Sequence, residues 1–158
     1  MGLLDRDEGR RVALFVDGPN LLRDEFDVDL DDVRAAAMEY GRPALTRVYL
    51  NEHASPSLVR AAEARGFEVV TTSGDVDVRL AVDLTRVAVT DGADVVVVAS
   101  RDTDFKPAVE AANAAGVRTV AVAPGEHGRP AALRNAAGES VTLDGALLSR
   151  RHYTPSRP

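Results

Sequence analysis

Unbroken apolar runs, not alternation, dominate the hydrophobic pattern of this chain. "RVALFVDGPN" runs from Arg11 into an Asp17-Gly18-Pro19 turn, and "ADVVVVAS" and "VRTVAVAP" repeat the form later. "ALTRVYLNE" and "FEVVTT" are further β-branched runs of strand length. Between them the period changes. "VRAAAMEYG", stopped by Gly41, "SPSLVRAAEARG", opened by Ser-Pro and closed by Gly66, "DVDVRLAVDLTRVAVTDG", ended at Gly92, and "DFKPAVEAANAAG" predict helices. "RPAALRNAAG" predicts a short helix and "SVTL" a last short strand. Strands alternating with helices, and strands that are apolar throughout, predict a mostly parallel sheet of about five strands buried on both faces.

The chain has 158 residues, which predicts one domain, with a folded core over 11–144 and short flexible ends at 1–10 and 145–158. It contains no cysteine, which removes disulfide frameworks and thiolate zinc sites. No apolar run reaches the roughly 18 residues of a membrane helix, and the N-terminus lacks a signal-peptide pattern; a cytoplasmic location is expected. The net charge of −6 argues against a simple basic nucleic-acid binder. It is compatible with a carboxylate site whose charge a bound cation offsets.

In open parallel sheets, ligands bind at the carboxyl ends of strands. The polar residues expected there are Asp17 and Asn20 after the first strand, Asp75 and Asp77 after the third, and Ser100, Asp102 and Asp104 after the fourth. A single strand-end aspartate is usually a turn residue or a helix cap. Three separate strand ends bearing aspartate are harder to explain so, since a cap accounts for one carboxylate of "SRDTDF" and leaves the other spare. Clustered carboxylates repel one another and commonly share a hard cation. Oxygen donors alone favour Mg²⁺ or Mn²⁺ over zinc, and the matching chemistry is phosphodiester hydrolysis. Asp83 falls on the apolar stripe Val76–Leu80–Val87, so it either supports the site or marks a shifted helix register.

The stretches "FVDGPNLL", "GDVDVRLAVDL" and "ASRDTDFKPAVEAANAAGVRTVAVAP" resemble, in order and spacing, a NYN domain of the LabA-like type, within the PIN-like nuclease superfamily. "AALRNAAGESVTL" is similar to that family's closing helix and strand, and "GDVDVR" is closest to a compact archaeal branch made of this domain alone. The resemblance spans roughly residues 11 to 144. It implies a PIN-like, Rossmann-like three-layer fold and metal-dependent RNA cleavage. The family's metal-holding aspartates fall on Asp17, Asp77, Asp102 and Asp104, its asparagine on Asn20, its serine on Ser100 and its helix acid on Asp83. Gly74-Asp75 stands where many relatives have a lysine or glycine pair.

Two other α/β chemistries fit less well. A haloacid-dehalogenase-like phosphotransferase needs an acid where this chain has Pro19, and a receiver domain needs a lysine where it has Ala123, Pro124 and Gly125. The expected function is therefore a Mg²⁺- or Mn²⁺-dependent ribonuclease; the alternative is a non-catalytic RNA-binding or regulatory module on the same fold. RNA needs cationic contacts, for which Arg129, Arg134, Arg150 and Arg151 are the candidates, with Arg157 and Tyr153 in the tail. A homodimer stays open as an assembly.

Overall fold

The protein was described from a computed structural model covering residues 9–22, 29–100, 105–124, 139–143 and 153–156. Among the described residues, seven strands form one sheet: β1 (Arg11–Asp17), β2 (Arg42–Asn51), β3 (Glu68–Thr72), β4 (Val95–Ala99), β5 (Arg118–Pro124), β6 (Glu139–Leu143) and β7 (Tyr153–Ser156). Their order is β3-β2-β1-β4-β5-β6-β7, and every pairing is parallel except β6 with β7. The parallel α/β expectation holds, with two strands more than the five counted from the main runs. "SVTL" does form β6. The end segment expected to be flexible contributes β7, four residues on the sheet's edge. Its Pro155 is admissible there because an edge strand can leave one backbone nitrogen without a ladder partner.

Five α-helices are described: α1 (Gly18–Leu21), α2 (Leu30–Ala37), α3 (Pro56–Ala64), α4 (Val76–Val89) and α5 (Lys106–Ala114). The two-residue period of each strand sorts the core into two layers. Val12, Leu14 and Val16 of β1 pack with Leu30, Val33, Ala36 and Ala62 of α2 and α3. Ala13 and Phe15 turn to the other side, with Leu80 and Leu84 of α4 and Val109 and Ala112 of α5. Every residue of β4 and nearly all of β1 is buried, which is why both read as continuous apolar runs. Edge strand β3 is only half-buried and includes the exposed Glu68 and Thr71. Phe105, just before α5, is fully buried in the same layer as Leu80 and Val109. The helix expected over "RPAALRNAAG" lies outside the described residues.

The strand order decides where a ligand can sit. From β1 the chain builds outward through β2 to β3, then returns to place β4 on the other side of β1 and builds the opposite way through β5 and β6. The order reverses between β1 and β4. That reversal opens a crevice at their carboxyl ends, where Asp17 closes β1 and Ser100 follows β4.

Candidate metal centre

Asp17 is 4% exposed and held from two sides. As N-cap of α1, its Oδ1 accepts from the Asn20 backbone N–H at 3.3 Å. Its Oδ2 accepts from the Ser100 hydroxyl at 3.0 Å, across the switch point. Ser100 is itself fully buried, and its Oγ lies 3.4 Å from Asn20 Oδ1. The capping role of Asp17 is thus observed, and its second oxygen is engaged separately by Ser100.

The turn depends on Gly18. A Cβ there would collide with the Tyr49 carbonyl oxygen and with Leu50 Cδ2, so only glycine lets α1 press against β2. Gly18→Ala is expected to destabilise the fold by about 1–3 kcal/mol, the range for overpacking a tight contact, and to displace Asp17 and Asn20. Urea denaturation checks the first effect. Gly74→Ala is the control, because a Cβ at Gly74 meets nothing within 4 Å.

A cleft of about 390 Å³ opens beside Asp17, lined also by Asn20, Asn51, Asp75 and Asp77. Asp77 sits in the first turn of α4 and accepts from the Val78 N–H at 3.0 Å. Asp75 occupies the N-cap position of α4 but makes no capping bond with its side chain. The bland explanation for Asp75, a capping carboxylate, is therefore not the one observed. Asn51 is a lining residue that the sequence reading missed. Its signal was available: it ends β2 at the same carboxyl edge. Its Oδ1 accepts from His53 N–H at 3.0 Å, which turns its amide nitrogen away from that bond.

The cleft thus brings together Asp17, Asn20, Asp75 and Asp77, with Ser100 behind Asp17. Asp102 and Asp104 lie outside the described residues, as do Arg129, Arg134, Arg150, Arg151 and Arg157. Asp83 is placed elsewhere. It is buried, as its position on the apolar stripe required, but it is not among the residues lining the cleft. Its Oδ2 accepts from the Tyr49 hydroxyl at 2.6 Å, from Arg47 Nη1 at 3.2 Å and from Arg79 Nε at 3.2 Å. Of the two expectations for Asp83, a shifted helix register is not needed: it is buried inside the α4–sheet layer and paired there with two arginines. Burial pushes the Tyr49 phenol well above its ordinary pKa, so it stays protonated and donates. Burial opposes the Arg47 charge, yet its bonds to Tyr49 and Glu68 outweigh that and raise its pKa.

Asp17, Asp75 and Asp77 have no lysine or arginine among the described residues lining their cleft. Every donor they and the two asparagines offer a cation is oxygen, the ligand type of a hard divalent ion. Among the described residues, no group of three or more His, Cys, Asp or Glu converges tightly enough to enclose an ion. Mg²⁺ asks for less, since it binds through one or two carboxylates and keeps several waters. The donor set fits that ion.

Residues 11–144 match the NYN domain family. The chain belongs to that family. NYN domains are part of the PIN-like nuclease superfamily, as the motif resemblance implied. This NYN domain is 40% identical over 147 residues to the uncharacterized protein MJ0482 of Methanocaldococcus jannaschii, covering 89% of this chain and 61% of that protein. It therefore spans less than two thirds of that relative's length. It is similar in fold to the crystal structure of a protein of unknown function, VPA0982, from Vibrio parahaemolyticus: TM-score 0.73, 18% identity, 87% of this chain and 94% of that one covered. Among the described residues of this NYN domain, no helix is long and apolar enough to cross a membrane.

Proposed function

We propose that this NYN domain hydrolyses RNA phosphodiester bonds at the Asp17–Asp77 cleft with bound Mg²⁺ or Mn²⁺. The observation that carries the reading is that Asp17 and Asp77, from separate elements, line one cleft at the carboxyl ends of β1, β2 and β3. Membership of a nuclease superfamily supports the reaction class. In this reading Asp17 and Asp77, together with Asp102 and Asp104, hold the ion directly or through water. When bound, the ion acts as a Lewis acid toward phosphate and lowers the pKa of attacking water.

The protein's own groups have distinct tasks. The Asn20 N–H and Ser100 Oγ–H fix both oxygens of Asp17, leaving their remaining lone pairs for the cleft. Asn51, with its oxygen engaged by His53, offers amide N–H groups to a phosphate oxygen. Arg129, Arg134, Arg150 and Arg151 remain proposed RNA contacts.

The test is incubation of labelled single-stranded and structured RNA with the protein in Mn²⁺ or in EDTA. Cleavage is expected in Mn²⁺ and not in EDTA. Bound but uncut RNA would move the protein to the RNA-binding module instead. RNA neither bound nor cut would overturn both readings.

A further inference from the structure

The acidic cleft does not end at Asp75. Gly74 and Asp75 form a shared lip, beyond which a second groove of about 550 Å³ runs along edge strand β3 and the outer side of α4. Its character differs from that of the first. Thr71 and Ser73 expose hydroxyl-bearing side chains, Val78 and Val82 are 58% and 48% exposed, and Arg79 contributes a cation.

Arg79 is held in a particular way. Its Nε donates to Asp83 Oδ2 and Oδ1 at 3.2 and 3.4 Å, while about half of the side chain stays open to solvent. Its two terminal nitrogens make no hydrogen bond among the described residues. A guanidinium anchored through Nε and free at its terminal nitrogens can meet a phosphate with two parallel bonds. The flanking valines offer apolar surface on the same helix face, one turn apart. Exposed β-branched side chains of this kind are costly in water and useful against the face of an unstacked base or a ribose.

We propose that this second groove is a subsite for the nucleotide next to the scissile phosphodiester of a single-stranded RNA. Arg79 grips the flanking phosphate, Val78 and Val82 contact the base or sugar, and Thr71 and Ser73 offer hydrogen bonds along the strand. The proposal rests on the RNA-cleaving reading of the acidic cleft and adds a substrate class to it. A single strand is required because a duplex keeps its base faces stacked and unavailable to the valines. Asp83, the buried acid that does not line the cleft, has a place here as the residue that positions Arg79.

The experiment is fluorescence anisotropy of a labelled single-stranded RNA oligonucleotide, without divalent cation so that no cleavage intervenes, across a salt series. A duplex RNA of the same sequence is run in parallel, and Arg79→Gln and Val78→Glu are compared with the wild type. Val78 is exposed and makes no bond to Asp83, so Val78→Glu separates binding from any effect on folding. Each variant is expected to bind the single strand about tenfold more weakly, in line with the loss of one phosphate contact or one base contact. Arg79→Gln should also lower the slope of log affinity against log salt by about one. Duplex binding should be unaffected. Wild-type binding of the single strand with both variants unchanged would overturn the subsite and leave the cleavage reading standing. Equal losses on single strand and duplex would also overturn it. No binding by the wild type to either RNA would overturn the subsite, while the cleavage reading stands or falls on the Mn²⁺ assay.

Discussion

Asp17→Asn is expected to lower RNA cleavage by more than about 100-fold while leaving the fold in place. Losing a partner one bond removed from a metal costs about 10–100-fold in affinity or activity, and Asp17 is proposed as a ligand itself. The substitution is nearly isosteric. Asparagine keeps an oxygen to accept from the Asn20 N–H, and its amide can donate to Ser100 Oγ, a hydroxyl that also accepts. What it removes is one negative charge from a cleft that also holds Asp75 and Asp77. Without cation, thermal stability should therefore equal or slightly exceed that of the wild type. The informative pair of measurements is cleavage rate with Mn²⁺ and melting temperature with and without it. Wild-type protein should gain melting temperature on adding the ion, and Asp17→Asn should gain little. Equal cleavage by the two proteins would sink the assignment of Asp17.

Asp83→Ala should act on the opposite axis and destabilise the fold by roughly 3 kcal/mol. Removing one partner of a buried ion pair typically costs about 3–5 kcal/mol, because the other charge stays behind in a poorly solvated place. The lower end applies here. Arg47 keeps its bond to Glu68 at 3.1 Å, and Arg79 is half-exposed and can turn to water. Against these stand the Tyr49 hydroxyl, which loses its acceptor in a fully buried ring, and Arg47 Nε, already buried without a partner among the described residues. Such a loss is a large share of the roughly 5–15 kcal/mol by which domains are stable. Asp83→Asn, which preserves an acceptor for Tyr49, should cost less. Denaturant unfolding of both variants ranks them. Near-equal stability of the wild type and Asp83→Ala would show that the network contributes nothing net.

These outcomes bear on what the sequence could and could not reveal. The central strands were legible because burial on both faces leaves nothing but apolar residues in "VALFV" and "VVVVA". The site edge was legible because a parallel sheet brings all its carboxyl ends to one side, so Asp17 and Asp77 could be grouped without coordinates. Asp83 was visible as an anomaly but not as a salt bridge. Its partners Arg47 and Tyr49 lie on β2, and only the β1–β2 order and the packing of α4 bring them together. Arg47 and Tyr49 are two apart on one strand, which predicts a common face but not which helix covers it. β7 was illegible for another reason. An edge strand pairs on one side only, so "YTPS" needs no apolar pattern and tolerates a proline.

The hydrogen bond between Ser100 and Asp17 spans 83 residues of chain. It joins the half built outward through β2 and β3 to the half built through β4 and β5. Anything gripped at that seam binds only the assembled sheet, so its binding free energy is added to the resistance against separating the halves. At a concentration one hundred times its dissociation constant, such a ligand contributes about 2.7 kcal/mol. Asp17 carries that seam into the cleft, so occupancy there should be readable from mechanical or thermal opening of the sheet as directly as from any chemical product.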